Sequence, residues 1–144
     1  MHSITQNIEI REAGAPVAAG SAIDSNSDRI DTFGYESAVF IVPITDSVDT
    51  GVATLTIEGN DLDQDSGMAA IEGAIATVTS AANDDVNGQL LIVEVRNPGY
   101  RYLQAVRTSA VANIAFGTVT ALLKPQLLPV IDHSSVSDVT YVGD

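Results

Sequence analysis

The chain has no cysteine and no tryptophan, only two histidines, and 6 basic residues against 19 acidic ones. Without cysteine there is no disulfide framework, no thiolate zinc site and no cysteine nucleophile. His2 and His133 stand far apart with no ligand spacing around them, which leaves zinc unsupported. A net charge of −13 at pH 7 argues against nucleic acid as a partner, because affinity for phosphate backbones comes largely from Lys and Arg displacing counterions. No apolar run approaches the ~18 residues of a membrane span, so no membrane partner is expected. The first residues, MHSITQN, lack the basic-then-apolar pattern of a secretory signal. Aromatics are 5% of the chain, a thin supply for sugar-stacking platforms, so a carbohydrate-binding module or adhesin is the weaker reading.

What is present is apolar and β-forming. Apolar residues make up 45% of the 144 and charged residues 17%, the reverse of a disordered composition. A chain of this length can close one core without covalent help. Residues 35–44, YESAVFIVPI, are apolar on both faces: Ala38, Phe40, Val42 and Ile44 on one, Val39 and Ile41 on the other. That pattern fits a strand in a sheet interior or at an interface. Pro43 cannot donate to a ladder and places that end at an edge or a bulge. Residues 52–58 alternate cleanly, and the turn residues 46–51 between the two runs predict a hairpin. Further strands are expected at residues 74–79, 89–96, 100–108 and 114–123. Asn87-Gly88 is a hairpin turn signal and Asn97-Pro98-Gly99 a turn. Alanines within residues 67–76 leave a helical turn open, against which Gly67 and Gly73 count.

The fold class that follows is all-β: an antiparallel β-sandwich or barrel-like domain with extended N- and C-terminal arms. The division is a loosely anchored arm over residues 1–20, with room for one strand at 7–11, a β-domain over 21–124, and an extended tail over 125–144 around Pro125 and Pro129.

Candidate chemistry is sparse. Residues 61–72, DLDQDSGMAAIE, place Asp61, Asp63, Asp65 and Glu72 at positions 1, 3, 5 and 12 of a calcium-type loop. Ser66 stands where glycine is required, Ala69 offers no side-chain oxygen, and the flanks read as strand. An acidic solvated turn is therefore the preferred reading. Asp132-His133-Ser134-Ser135 holds the letters of a hydrolase triad, but sequence neighbours cannot adopt triad geometry among themselves. Glu36, Glu58 and Glu94 could form an acid–base pair, yet each falls on an expected solvent face. No enzyme activity and no cofactor are expected. The interface candidates are Tyr35, Val39, Ile41, Tyr100, Arg101, Tyr102, Arg107, Leu127 and Leu128, since Arg and Tyr favour interface hot spots and the tail carries apolar anchors. The competing account of Arg101 and Arg107 is cross-strand pairing with acids.

Four stretches carry a resemblance: Gly34-Tyr35-Glu36-Ser37 opening an apolar strand, Ala53-Thr54-Leu55-Thr56-Ile57-Glu58 before an acidic loop, Gly99-Tyr100-Arg101-Tyr102-Leu103, and a last apolar strand running into Pro125 and Pro129. Over roughly residues 30–130 the chain resembles the small β-rich proteins encoded in the head modules of tailed bacteriophages and prophages, some of which are capsid decoration or minor capsid proteins. The resemblance implies a structural virion protein on the outer capsid surface. It would bind the major capsid protein and itself, as a homotrimer, and be made in the host cytoplasm. The longer acidic loop and the tail after Val130 depart from that pattern. A virion adhesin and a head–tail or tail component are the alternatives.

Overall fold

The computed structural model describes residues 3–127, 136–140 and 142. A short helix, α1 (Ile4–Asn7), precedes eleven strands: β1 (Glu9–Gly14), β2 (Val17–Gly20), β3 (Asp24–Asn26), β4 (Ile30–Asp31), β5 (Tyr35–Ser47), β6 (Val52–Asn60), β7 (Ala69–Thr79), β8 (Leu90–Arg96), β9 (Tyr102–Ala110), β10 (Ile114–Phe116) and β11 (Val119–Pro125). They form two antiparallel sheets packed face to face, a β-sandwich. In the first sheet β5 is central, with β8 along one side and β11 then β10 end to end along the other. Outboard of these, β1 pairs with β11 and β2 with β10. The second sheet runs β7-β6-β9, with β3 and β4 end to end on the far side of β9. Among the described residues no helix is long and apolar enough to cross a membrane.

The period-2 patterns dictate the core. β6 turns Ala53, Leu55 and Ile57 inward, and β8 turns Leu91, Val93 and Val95 inward. These join Ala38, Phe40, Val42 and Ile44 of β5 and Val119, Ala121 and Leu123 of β11 in one buried cluster. Burial of this apolar surface is the main force holding the sheets together.

Several expectations change. The turn over residues 46–51 does not close a hairpin; it carries the chain across the sandwich, since β5 pairs with β8, β10 and β11 while β6 pairs with β7 and β9. Turn residues mark a reversal without saying whether the two arms pair, and β5 already has a neighbour on each side. The loop ending in Asn87-Gly88 also changes sheet, although Gly88 does take the left-handed φ of 79° that its turn requires. Among the described residues the hairpin that stays within one sheet is β6–β7. Residues 67–76 are not helical: most of them fall in β7, where Gly73 (φ 79°) sits at a register shift against β6. Within residues 1–20, expected as an arm, β1 and β2 are hydrogen-bonded into the first sheet. Their pattern is weak because edge strands bury little; in β1 only Glu9 and Ala13 are buried.

Pro43 explains the broken strands. It lies in the middle of β5, where the neighbour changes from β11 to β10. The Pro43 carbonyl accepts from Gly117 N at 2.8 Å, but the proline has no N–H to return. The partner strand is interrupted at Gly117-Thr118, and the next one outward at Ala15-Pro16. Arg107 reaches this line of breaks from β9 in the opposite sheet. Its Nη1 donates to Ala15 O at 2.6 Å and Gly117 O at 3.0 Å.

Candidate functional site

Two surfaces stand out, and both follow from strand periodicity. The first is the outer face of the β8-β5-β11-β1 sheet. Residues paired across antiparallel strands share a face. One row therefore runs Glu94, Val39, Leu122, Ile10, and the next runs Ile92, Ile41, Thr120, Glu12. Leu90 and Pro43 extend the patch. Leu90 is 54% exposed and Ile92 51%, while Val39, Ile41 and Leu122 are half-buried. The two-sided apolar character of β5 thus ends in an outward apolar face, on which Val39 and Ile41 are central. At its rim Glu94 pairs with Arg96 and Glu36 with Lys124, while Glu12 ends the second row as an exposed carboxylate.

The second surface lies at one end of the sandwich, where the turn over residues 32–36 meets the turn over 97–101. Thr32 N donates to Arg101 O, Tyr35 N to Thr32 O, Asn97 N to Glu36 O and Gln126 N to Gly34 O. Those bonds lock the two turns and the end of β11 around a groove of 680 Å³. Phe33, Tyr35, Tyr100, Arg101, Asn97 and Gln126 are among its lining residues, and Leu127 stands at its margin, 86% exposed. Arg101 is bidentate to Asp31 at 3.0 and 2.9 Å. Its guanidinium lies 5.2 Å from the Phe33 ring centre and 5.3 Å from that of Tyr102, within cation–π range. That hydrogen bonding to Arg101 holds the Asp31 carboxyl below the usual aspartate range. Arg11 similarly covers Tyr35, whose hydroxyl donates to Glu9.

The interface candidates Tyr35, Tyr100, Arg101, Tyr102 and Leu127 are thus brought to one end of the molecule, and Val39 and Ile41 to one face. Leu128 lies outside the described residues. Arg107 is a correction: it is 2% exposed and its guanidinium is engaged by backbone carbonyls, so it is not a surface anchor. Its strand parity matches Leu55 opposite it, an inward position that the sequence reading took for a surface. Burial pulls its pKa down, and it forms no ion pair with a carboxylate among the described residues.

The acidic loop has an occupant of its own. Arg29, from the β3–β4 link, donates to Asp63 and Asp65, each at 2.6 Å. Asp61 accepts from Arg101 N at 3.3 Å, and Glu72 lies apart on β7, exposed. Among the described residues no three His, Asp or Glu side chains gather where they could hold a metal ion. Glu36 and Glu94 line a common depression of 370 Å³, each with its own base, whereas Glu58 sits on the other sheet and accepts from Gln104. The triad letters at residues 132–135, and His2, lie outside the described residues.

Sequence reasoning missed Phe33, which is 78% exposed. The available signal was an aromatic directly before Gly34 in a turn, a place with no inward face. It also missed Arg29, whose charge meets Asp63 and Asp65 across a separation in sequence that no local motif encodes. No protein-family model matches the chain, and no curated protein matches its sequence.

Proposed function

We propose that this chain is a structural, non-catalytic virion protein: a capsid decoration protein that binds the outer surface of a major capsid shell and stiffens it. The observation that carries the reading is the apolar outer face built on Val39, Ile41, Leu90, Ile92 and Leu122. Exposed apolar patches of that kind mark interaction surfaces. A sandwich whose strands cross repeatedly between its sheets is a stiff body on which to carry such a face. The resemblance to head-module proteins supplies the occupant, the major capsid protein, and self-association as a homotrimer. The surplus of acid, left over after the surface bases are paired, keeps unassembled copies apart.

The test is imaging of purified particles that contain this chain, with and without Ile41→Glu and Ile92→Glu. Density over the capsid lattice, lost in the charged variants, is the expected result. Density confined to the tail would reject the reading in favour of a tail component. Solution mass gives a second check: a trimer is expected, and a strict monomer or a large ring counts against it.

A further inference from the structure

The groove at the aromatic end has a chemistry different from the sheet face. It carries no unpaired charge, because Arg101 is held by Asp31 and Glu36 by Lys124. Backbone bonds tie residues 32–36, 97–101 and 126 together as turns rather than as a ladder. An incoming peptide would find no strand edge there to pair with.

What remains are ring faces and neutral hydrogen-bonding groups. The side-chain amides of Asn97 and Gln126 and the Tyr100 hydroxyl have no partner among the described residues, and each amide offers two donors and an acceptor. Tyr100 is held as a platform: a Cβ on Gly59 would lie 2.3 Å from Tyr100 Cδ2, so the ring rests directly on the β6 backbone, and 36% of the residue stays exposed. Phe33 contributes a second ring, steadied by Arg101.

We propose that this groove binds a neutral saccharide, one sugar ring lying on Tyr100 with its hydroxyls held by Asn97 and Gln126. A sugar presents a flat C–H face to an aromatic and a rim of hydroxyls to amides, and it brings no charge. A purely apolar ligand would strand the amides without partners, at a loss of affinity. An ion would find only charges that are already neutralised. The volume lies within the range of small-ligand clefts.

The proposal goes beyond attachment through the sheet face, and its test separates the two. Maltohexaose, cellohexaose and chitohexaose are titrated into the intact chain, followed by tyrosine fluorescence, which no tryptophan obscures, and by saturation-transfer NMR. Saturable binding of at least one is expected, weakened about tenfold or more by Tyr100→Ala and by Asn97→Ala, and largely kept by Tyr100→Phe, which retains the ring. Ile92→Glu, on the sheet face, should leave it unchanged. No binding of any of the three at ~10 mM overturns the proposal, as does binding indifferent to Tyr100→Ala. Loss of particle attachment in Tyr100→Ala without saccharide binding also overturns it, and makes the groove a protein contact. A chain that binds particles but no sugar rejects the groove alone; one that binds sugar but no particle rejects the decoration role alone.

Discussion

Pro43 and Gly117 are backed against each other across the first sheet: a Cβ on Gly117 would lie 2.5 Å from Pro43 Cγ, and Gly117 N donates to Pro43 O at 2.8 Å. The proline interrupts the ladder, and the glycine lets the interrupted strand close up against it. Gly117→Ala is therefore expected to destabilise the fold by about 1–3 kcal/mol through overpacking. Pro43→Ala in the same chain should return part of that loss, and a urea double-mutant cycle reads the coupling. Additive effects would show that the contact is not the cause.

Arg107 spans the two sheets at the same level. Its Nη1 satisfies the carbonyls of Ala15 and Gly117, while its Nε has no partner among the described residues. Replacement by Met fills much of the space but leaves both carbonyls bare, at a cost of about 3 kcal/mol. Arg107→Lys keeps one donor group and should fall between Met and wild type in urea midpoint, with m unchanged. A Met variant as stable as wild type would show that carbonyl satisfaction is not what holds the guanidinium there.

Acid should act through particular carboxylates. Asp85 accepts from Ser80 Oγ at 2.6 Å and Ala81 N at 2.8 Å, bonds that hold its carboxyl below the ordinary aspartate range. Asp31 is lowered likewise by Arg101. A carboxyl lowered in the folded state contributes stability above its unfolded pKa and loses it as pH falls through the folded value. Denaturant midpoints should therefore drop between about pH 4 and pH 2. Asp85→Asn should lower the midpoint at neutral pH and flatten the acid limb; an unchanged limb would remove Asp85 from the account.

Arg29 already bridges Asp63 and Asp65. Calcium at ~1 mM should shift the melting temperature no more than magnesium at the same ionic strength. A larger rise, reversed by chelator, would show that calcium displaces the guanidinium.

Much of this architecture was legible because burial imposes period 2. The alternation over residues 52–58 and 89–96 gives β6 and β8 with their inward residues, and the two-sided run over 35–44 gives both the central strand and the outward face. Sheet membership was not legible. The same turn residues serve a hairpin and a crossing, and only pairing partners far along the chain decide between them. Arg107 misled for a related reason: a charged residue reads as exposed until backbone carbonyls from two distant strand breaks are seen to meet it. The end groove was readable as a list, Tyr35, Tyr100, Arg101 and Leu127, but not as a place. It exists only where the 32–36 and 97–101 turns are tied together.

The order in which the chain visits its two sheets has a kinetic consequence. β1 and β2 lie in the first sheet, β3 and β4 in the second, β5 in the first, β6 and β7 in the second, β8 in the first, β9 in the second, and β10 and β11 in the first. Neither sheet can be assembled from a contiguous piece of chain, and β1 waits for β11 at the opposite end of the domain. Such non-local pairing places the chain among slow folders, on the ms–s scale. A ribosome would have to release nearly the whole domain before its first strand found its neighbour.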